Sequence, residues 1–345
     1  MTEERRKLVL TQETEEDAVV SLSLRPAKIE DFVGQKDLIE NLTVSLQAAR
    51  KRKEPIEHML FSGPPGLGKT TLAYIVAHEM GARITVTSGP AIERAGDLIG
   101  ILTNLERGDI LFIDEIHRLS KSVEEFMYPA MENFQIDFVV DKGPYARTIK
   151  FNLKPFTLIG ATTRSGLLAS PLRDRFGIFH HLDFYVPEEL SEIVLNSAKK
   201  LSLAIAKDAA EEIARRSRGT PRIANRLLRR VRDYVEVKAP GPKITKEVVI
   251  KAMETLGIDT AGLDETDRRL INTLWQNYKG GPVGIETLAA TLNEEVDTLV
   301  DVIEPFLLKI GFLNRTSRGR QLTESAYKHL SAATPNSLKP QKELY

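Results

Sequence analysis

Cysteine is absent from the 345-residue chain. Disulfides and thiolate metal sites are therefore excluded, and a reducing compartment fits. Net charge is absent too, with 48 basic residues against 48 acidic ones. Whole-chain charge points to no particular partner, so local clusters must decide. No apolar run approaches the ~20 residues that span a bilayer. The first twenty residues are charged and lack an apolar centre, unlike a secretory leader. A soluble, cytoplasmic protein with no membrane contact is expected. No internal repeat is visible either. The length suggests two or three domains, and 42% hydrophobic content is ample for their cores.

What the chain does contain is a phosphate loop, Gly63-Pro-Pro-Gly-Leu-Gly-Lys-Thr-Thr71. It fits G-x-x-x-x-G-K-[ST] and has the right surroundings. An apolar strand, His58-Met-Leu-Phe61, enters it and a helical stretch over 71–79 leaves it. Glycines permit the backbone turn, and the N–H groups and helix dipole then face a triphosphate. ATP is the expected ligand, cradled by Gly63, Gly66, Gly68, Lys69, Thr70 and Thr71. Lys69 would reach the β- and γ-phosphates, and Thr70 would hold Mg²⁺.

Strand and helix signals alternate around this loop. An amphipathic helix is expected over 36–52 and strands over 83–87, 109–115, 155–163 and 178–185, with a helix over 120–131. Two strand-like runs, 134–140 and 146–152, flank the turn signal Asp141-Lys-Gly-Pro144 and read as a β-hairpin spanning 134–152. Alternation leaves Ile136, Phe138 and Val140 as one apolar face, expected to be free for docking. The whole describes an α/β fold, a three-layer parallel sheet, over residues 1–185. Helical periodicity over 188–200, 207–218, 221–237 and 245–256 marks a small helical domain, 186–257. Helices after Gly262, then a basic glycine-bearing ribbon over 311–323, give a winged-helix pattern for 258–345.

Asp114 and Glu115 end an apolar strand, where ligands sit in open α/β sheets. Asp114 would bind Mg²⁺ through water, and Glu115 would orient and deprotonate the attacking water. Thr162 and Thr163 end another strand; either hydroxyl could sense the γ-phosphate. Arg173 and Arg175 lie in a loop, and arginine's rigid, permanently charged fork suits a phosphate supplied from outside. Arg315, Arg318 and Arg320 lie within six residues with no acid among them, which suits phosphate contacts along DNA without base reading. Arg226, Arg229, Arg230 and Arg232 read first as the polar face of a helix and a subunit contact, and second as a DNA contact.

These segments, together with Ile113-Asp-Glu-Ile-His-Arg118, Gly160-Ala-Thr-Thr-Arg-Ser-Gly166, residues 170–177 and Gly219-Thr-Pro-Arg-Ile-Ala224, resemble the RuvB family. Its members are bacterial AAA+ motors of Holliday junction branch migration. The likeness covers residues 22–330. It implies that Thr163 is the first sensor and Arg222 the second. It makes Arg175 the arginine finger for a neighbouring subunit, ahead of Arg173. Leu24, Arg25 and Tyr185 match nucleotide-pocket residues. Glu132, Asn133 and Phe134 match a nucleotide-contacting segment that is usually Glu-Asp-Phe, from which Asn133 departs. Ser317 stands where proline is common. The hairpin matches one that docks RuvA. The implied partners are four-way junction and duplex DNA, RuvA, RuvC resolvase indirectly, and five further copies in a hexameric ring. The competing reading is a clamp-loader-like remodeller of a DNA-bound protein; a third is a winged-helix switch that binds ATP without turnover. Glu115 opposes the third, and the hairpin and wing oppose the second.

Overall fold

The structure, a computed structural model, describes residues 23–140, 147–239 and 241–333. The chain forms two compact units, one ending at Tyr185 and the other beginning at Val186.

The first unit is built on a parallel sheet. Its strands are β1 (Met59–Ser62), β2 (Ile84–Ser88), β3 (Ile110–Asp114), β6 (Thr157–Thr162) and β7 (Ile178–His181), in the order β2-β3-β6-β1-β7. The central strands are apolar along their length because both faces are covered, so alternation is lost. Phe61, Phe112 and Ile159 are fully buried. Parallel register sets Ser62 beside Thr162 and His181, and Ser88 beside Asp114. The carboxyl ends of β1, β3 and β6 thus share one edge, with the phosphate loop leaving β1 there.

Helix Lys36–Arg52 buries Leu38, Leu42, Leu46 and Ala49, one face at helical spacing, and packs against helix Lys69–Met80. Helix Ala95–Thr103, which the sequence pattern did not suggest, buries Leu98 and Leu102. The Asp97 carboxylate accepts the Arg94 N–H at its start, at 2.9 Å. Helix Lys121–Asn133 follows, and then β4 (Gln135–Val140) pairs antiparallel with β5 (Arg147–Asn152). The expected turn over 141–144 lies outside the described residues, as do the side chains of Phe138 and Val140. Ile136 corrects one expectation. It is fully buried in the cluster around Met127, Met131 and Phe156, so it anchors the hairpin and offers nothing for docking. The exposed apolar side chain near the hairpin base is Phe151, directly across from Ile136 on the partner strand.

The second unit begins with helices Pro187–Lys200, Lys207–Arg215, Pro221–Lys238 and Lys246–Thr255. Thr220 and Pro221 start the third of these, as Thr-Pro should. Arg229 departs from the expected polar face: it is buried. Arg230 and Arg232 both pair with Asp233. Helix Glu265–Tyr278 opens on Asp264, whose side chain accepts the N–H groups of Thr266 and Asp267. Helix Ile285–Leu292 and a helical run over 296–309 follow, the latter with a π-helical stretch at Leu299–Ile303. Strands β8 (Leu313–Thr316) and β9 (Gly319–Leu322) make the ribbon. Helix Glu324–Ala333, another element the sequence pattern did not suggest, follows, and its Ala326 and Leu330 join the same core as Leu270, Leu288 and Leu307.

Candidate nucleotide site and nucleic-acid interface

Gly63, Gly66 and Gly68 all hold positive φ, at 136°, 80° and 106°. A Cβ on Gly63 would also sit 2.4 Å from the Leu182 carbonyl oxygen, so no other residue fits there. Lys69 is buried, and its ammonium donates to the carbonyls of Gly63 and Pro64 at 2.7 and 2.8 Å, bridging the loop's own backbone. Helix Lys69–Met80 starts at this point, placing Thr70 and Thr71 in its first turn, where N–H groups lack helical partners. The Tyr185 hydroxyl donates to the Leu67 carbonyl at 3.2 Å and so pins the loop from behind. Leu24 is buried, and the Arg25 guanidinium lies 5.9 Å from the Tyr74 ring on the helix that leaves the loop. Tyr185 thus contacts the loop itself, and Arg25 lies over the helix that leaves it.

Asp114 ends β3, and its carboxylate accepts the Glu115 N–H at 3.0 Å. Glu115 is held in the left-handed conformation, φ 48° and ψ 44°. A non-glycine residue there is strained, and such strain clusters at functional sites. Gly89 explains how it is held: a Cβ on that glycine would strike the Glu115 carbonyl oxygen at 2.4 Å. The Glu115 side chain is half-exposed and paired with Arg118 at 3.1 Å, a contact weak enough to exchange.

The two threonines separate clearly. Thr162 is buried; its hydroxyl lies 2.9 Å from Nδ1 of His117 and accepts the Arg164 N–H at 3.0 Å. Thr163 is half-buried, and its hydroxyl has no hydrogen-bond partner among the described residues. Thr162 is thus a strand-end anchor and Thr163 is the hydroxyl available to a ligand.

Arg175 is not a free arginine in the single chain. It pairs with Glu132 at 2.9 Å, donates to the Pro171 carbonyl and stacks 4.5 Å over the Tyr128 ring. Glu132 is half-exposed, so this pair too exchanges cheaply. Tyr128 went unnoticed in the sequence, although it lies one helical turn before Glu132. Asn133 is exposed, whereas Phe134 turns inward against Phe156 and His58. Arg173, expected in a loop, ends the short helix Ser170–Arg173 and is exposed.

In the second unit Arg222 is exposed in the first turn of helix Pro221–Lys238. The wing holds a larger surprise. Glu304 is 1% exposed, and its two oxygens accept four hydrogen bonds from Nε and Nη2 of Arg315 and Arg320. Burial pushes its pKa up, but bonds and charge from the two arginines outweigh that and leave it below the usual carboxylate value. The Arg320 side chain is only 14% exposed, that of Arg315 is 52%, and Arg318 is exposed. The three wing arginines therefore differ: Arg320 is committed to Glu304, Arg315 is shared with it, and Arg318 is exposed. The available signal was an acid set directly between Ile303 and the apolar Phe306-Leu307 pair.

The chemistry of the donors fits a magnesium nucleotide. Thr70 and Asp114 offer hard oxygen ligands, and Mg²⁺ takes few protein ligands when phosphates supply the rest. Among the described residues no group of three or more His, Asp or Glu side chains could hold a metal by itself. A phosphate-loop sheet, a helical lid and a winged helix define an AAA+ ATPase with a winged-helix domain.

Comparison with known proteins agrees along nearly the whole chain. Family models match for the Holliday junction DNA helicase RuvB P-loop domain over residues 24–182, the RuvB AAA lid domain over 185–259 and the RuvB C-terminal winged helix domain over 260–331. The Holliday junction branch migration complex subunit RuvB of Desulfosudis oleivorans is 58% identical over 323 residues, 93% of this chain and 94% of that one. The Thermotoga maritima RuvB Holliday junction branch migration motor is similar in structure, with a TM-score of 0.84 and 52% identity over 91% of this chain and all of that one. A single-residue variant of it gives 0.84 and 53%, with 90% and 100% covered. The chain belongs to the RuvB family, and is an AAA+ ATPase of Holliday junction branch migration.

Proposed function

We propose that six copies of this chain form a ring that hydrolyses ATP to pull duplex DNA and so drive branch migration of a four-way junction. The observation that carries this is the union of a strained Glu115, next to Asp114 at the end of β3, with a winged helix in a chain that matches the branch-migration family from residue 24 to 331. The functional parts are the large ATPase domain 1–185, the small ATPase domain 186–257 and the DNA-binding head 258–345. Among the described residues no helix is long and apolar enough to cross a membrane, which suits work on cytoplasmic DNA.

The loop 63–71 binds the triphosphate, with Lys69 exchanging its carbonyl partners for phosphate oxygens. Thr70 and Asp114 would hold Mg²⁺, which when bound neutralises charge on the β- and γ-phosphates. Glu115, released from Arg118, orients the attacking water and takes its proton. Thr163 contacts the γ-phosphate side, and Arg222 reads the nucleotide from the lid. Arg175 leaves Glu132 to meet the neighbour's γ-phosphate, where charge grows in the transition state. Glu132 and Asn133 belong to a segment that contacts the nucleotide, and Glu132 is the partner Arg175 leaves. Arg318 and Arg315 take DNA phosphates. RuvA docks on the hairpin through Phe151 and the distal strands, bringing the ring to the junction and, through that complex, to RuvC.

The test is ATP turnover by the purified chain with junction DNA and RuvA, scored together with separation of the four arms. Stimulated turnover with arm separation is expected. Turnover that ignores DNA, with arms left joined, would overturn the proposal.

A further inference from the structure

Arg218 lies four residues before Arg222, and nothing about its place in the sequence marks it. It holds a left-handed conformation, φ 55°, in the turn that leads into helix Pro221–Lys238. Its side chain is 10% exposed and points away from the lid, into the winged helix. There Nη1 lies 3.1 Å from the Asp267 carboxylate and 3.4 Å from that of Asp264. Nη2 donates to the Val302 carbonyl at 3.0 Å, and the guanidinium stacks 4.8 Å over the Phe306 ring. Two further contacts tie the same turn to the linker. Arg216 donates to the Ile258 carbonyl at 3.2 Å. A Cβ on Gly262 would come within 2.8 Å of the Arg216 carbonyl oxygen, so the two backbones touch.

Val302 and Phe306 bracket Glu304. One five-residue stretch, 302–306, is therefore gripped by Arg218 and itself grips the wing through Arg315 and Arg320. We infer that Arg218 is a positioning residue that couples the nucleotide-responsive turn at Arg222 to the DNA-binding wing, through segment 302–306. The inference rests on the roles given above to Arg222 and the wing. A planar fork that meets two carboxylates, a carbonyl and a ring at once fixes orientation as well as distance. Any rotation of the turn must then be carried into the helix that positions the wing. A lysine cannot reproduce this, because a single ammonium has neither the fork nor the stacking face.

The experiment uses the full chain with Arg218→Lys and Arg218→Ala, in four measurements. These are ATP turnover without DNA, duplex affinity with a slowly hydrolysed ATP analogue, the fold-stimulation of turnover by DNA, and base pairs migrated per ATP. Turnover without DNA and duplex affinity should stay within about three-fold of the unsubstituted chain, while stimulation and base pairs per ATP fall about ten-fold, within the usual range of coupling between sites. Unchanged stimulation and migration in both variants would overturn the inference. So would a parallel loss of basal turnover, duplex affinity and melting temperature in Arg218→Lys, which keeps the charge, because that pattern reports packing alone. Should Arg218→Ala not fold, Phe306→Leu takes its place: it keeps the apolar bulk and removes the stacked ring, and the same split is expected. An unsubstituted chain whose turnover ignores DNA would instead sink the reading of Arg222 and the wing, and the inference with it.

Discussion

The wing arginines separate into structural and DNA-facing groups, and the separation can be measured. Glu304 is 1% exposed and accepts bonds of 2.8 to 3.1 Å from both Arg315 and Arg320. Removing one side of a buried ion pair costs about 3–5 kcal/mol, because the other charge is left without compensation. In Glu304→Ala the 52% exposed Arg315 rehydrates easily, so the cost falls on Arg320, at 14%. The lower end, about 3 kcal/mol, is expected, which for a unit of this size lowers the melting temperature by roughly 6–12 °C. Arg320→Ala leaves Glu304 with both bonds from Arg315 and should cost about 1–2 kcal/mol. Arg315→Ala should cost under about 1 kcal/mol, after discounting for its exposure, and Arg318→Ala nearly nothing. DNA binding should rank the other way. Losing one phosphate contact flattens the log–log salt dependence by about 0.9, expected for Arg318→Ala and absent for Arg320→Ala. Because Glu304 titrates below the usual carboxylate value, its contribution is complete at neutral pH and is lost on acidification through that lowered pKa. Calorimetry and fluorescence anisotropy at several salt concentrations check both rankings. An Arg320→Ala chain that melts like the unsubstituted one and loses a full 0.9 of slope would refute this division of labour.

Other expectations follow from single contacts. Glu115→Gln should bind ATP normally and lose nearly all turnover; weakened binding with turnover per bound ATP intact would remove Glu115 from water activation. Arg175→Ala and Lys69→Ala, each inactive alone, should regain activity when mixed in one ring, since one supplies the pocket and the other the finger, a contribution of roughly 10³–10⁵ in related enzymes; mixed rings without activity would place Arg175 within its own subunit. Phe151→Asp should abolish RuvA pull-down and leave basal turnover unchanged; retained pull-down moves the docking site. Burial lowers the pKa of His58, against the pull of its bond to Met131, and its Nδ1 accepts the Leu158 N–H at 2.8 Å. Unfolded chains thus take up the proton first, and the first unit should lose stability as pH falls below about 6.5, a loss that His58→Gln reduces.

Local signals made the phosphate loop, the sheet strands and the lid helices legible, because each carries its own period and caps. Helix Ala95–Thr103 was silent because two glycines and a short span blur its pattern. Alternation in β4 showed that one face is apolar, but period two does not say which face is covered, and Ile136 proved to be inside. In the site, residue type and spacing placed Lys69, Asp114 and Glu115. The choice between Thr162 and Thr163 needed His117, 45 residues away, in three dimensions. Likewise Arg315 and Arg320 look free in the sequence because the acid that holds them lies 11 and 16 residues back. Long-range charge pairing leaves no period to detect.

The neck of the hairpin has a consequence for how such a motor changes its allegiance. The Leu153 N–H donates to the Phe134 carbonyl at 2.6 Å, so the chain leaves the ATPase core and re-enters it at one point. Everything between is an excursion whose ends are already closed. Closure entropy grows only slowly with loop length, by about 0.6 kcal/mol per doubling. A longer, shorter or different excursion could therefore be spliced in beyond the Ile136–Phe151 pair, since Ile136 itself belongs to the core, while the strands that end at Asp114 and Thr162 keep their places. In such an architecture the engine and its adaptor can evolve at separate rates, and an engineer can exchange the second without rebuilding the first.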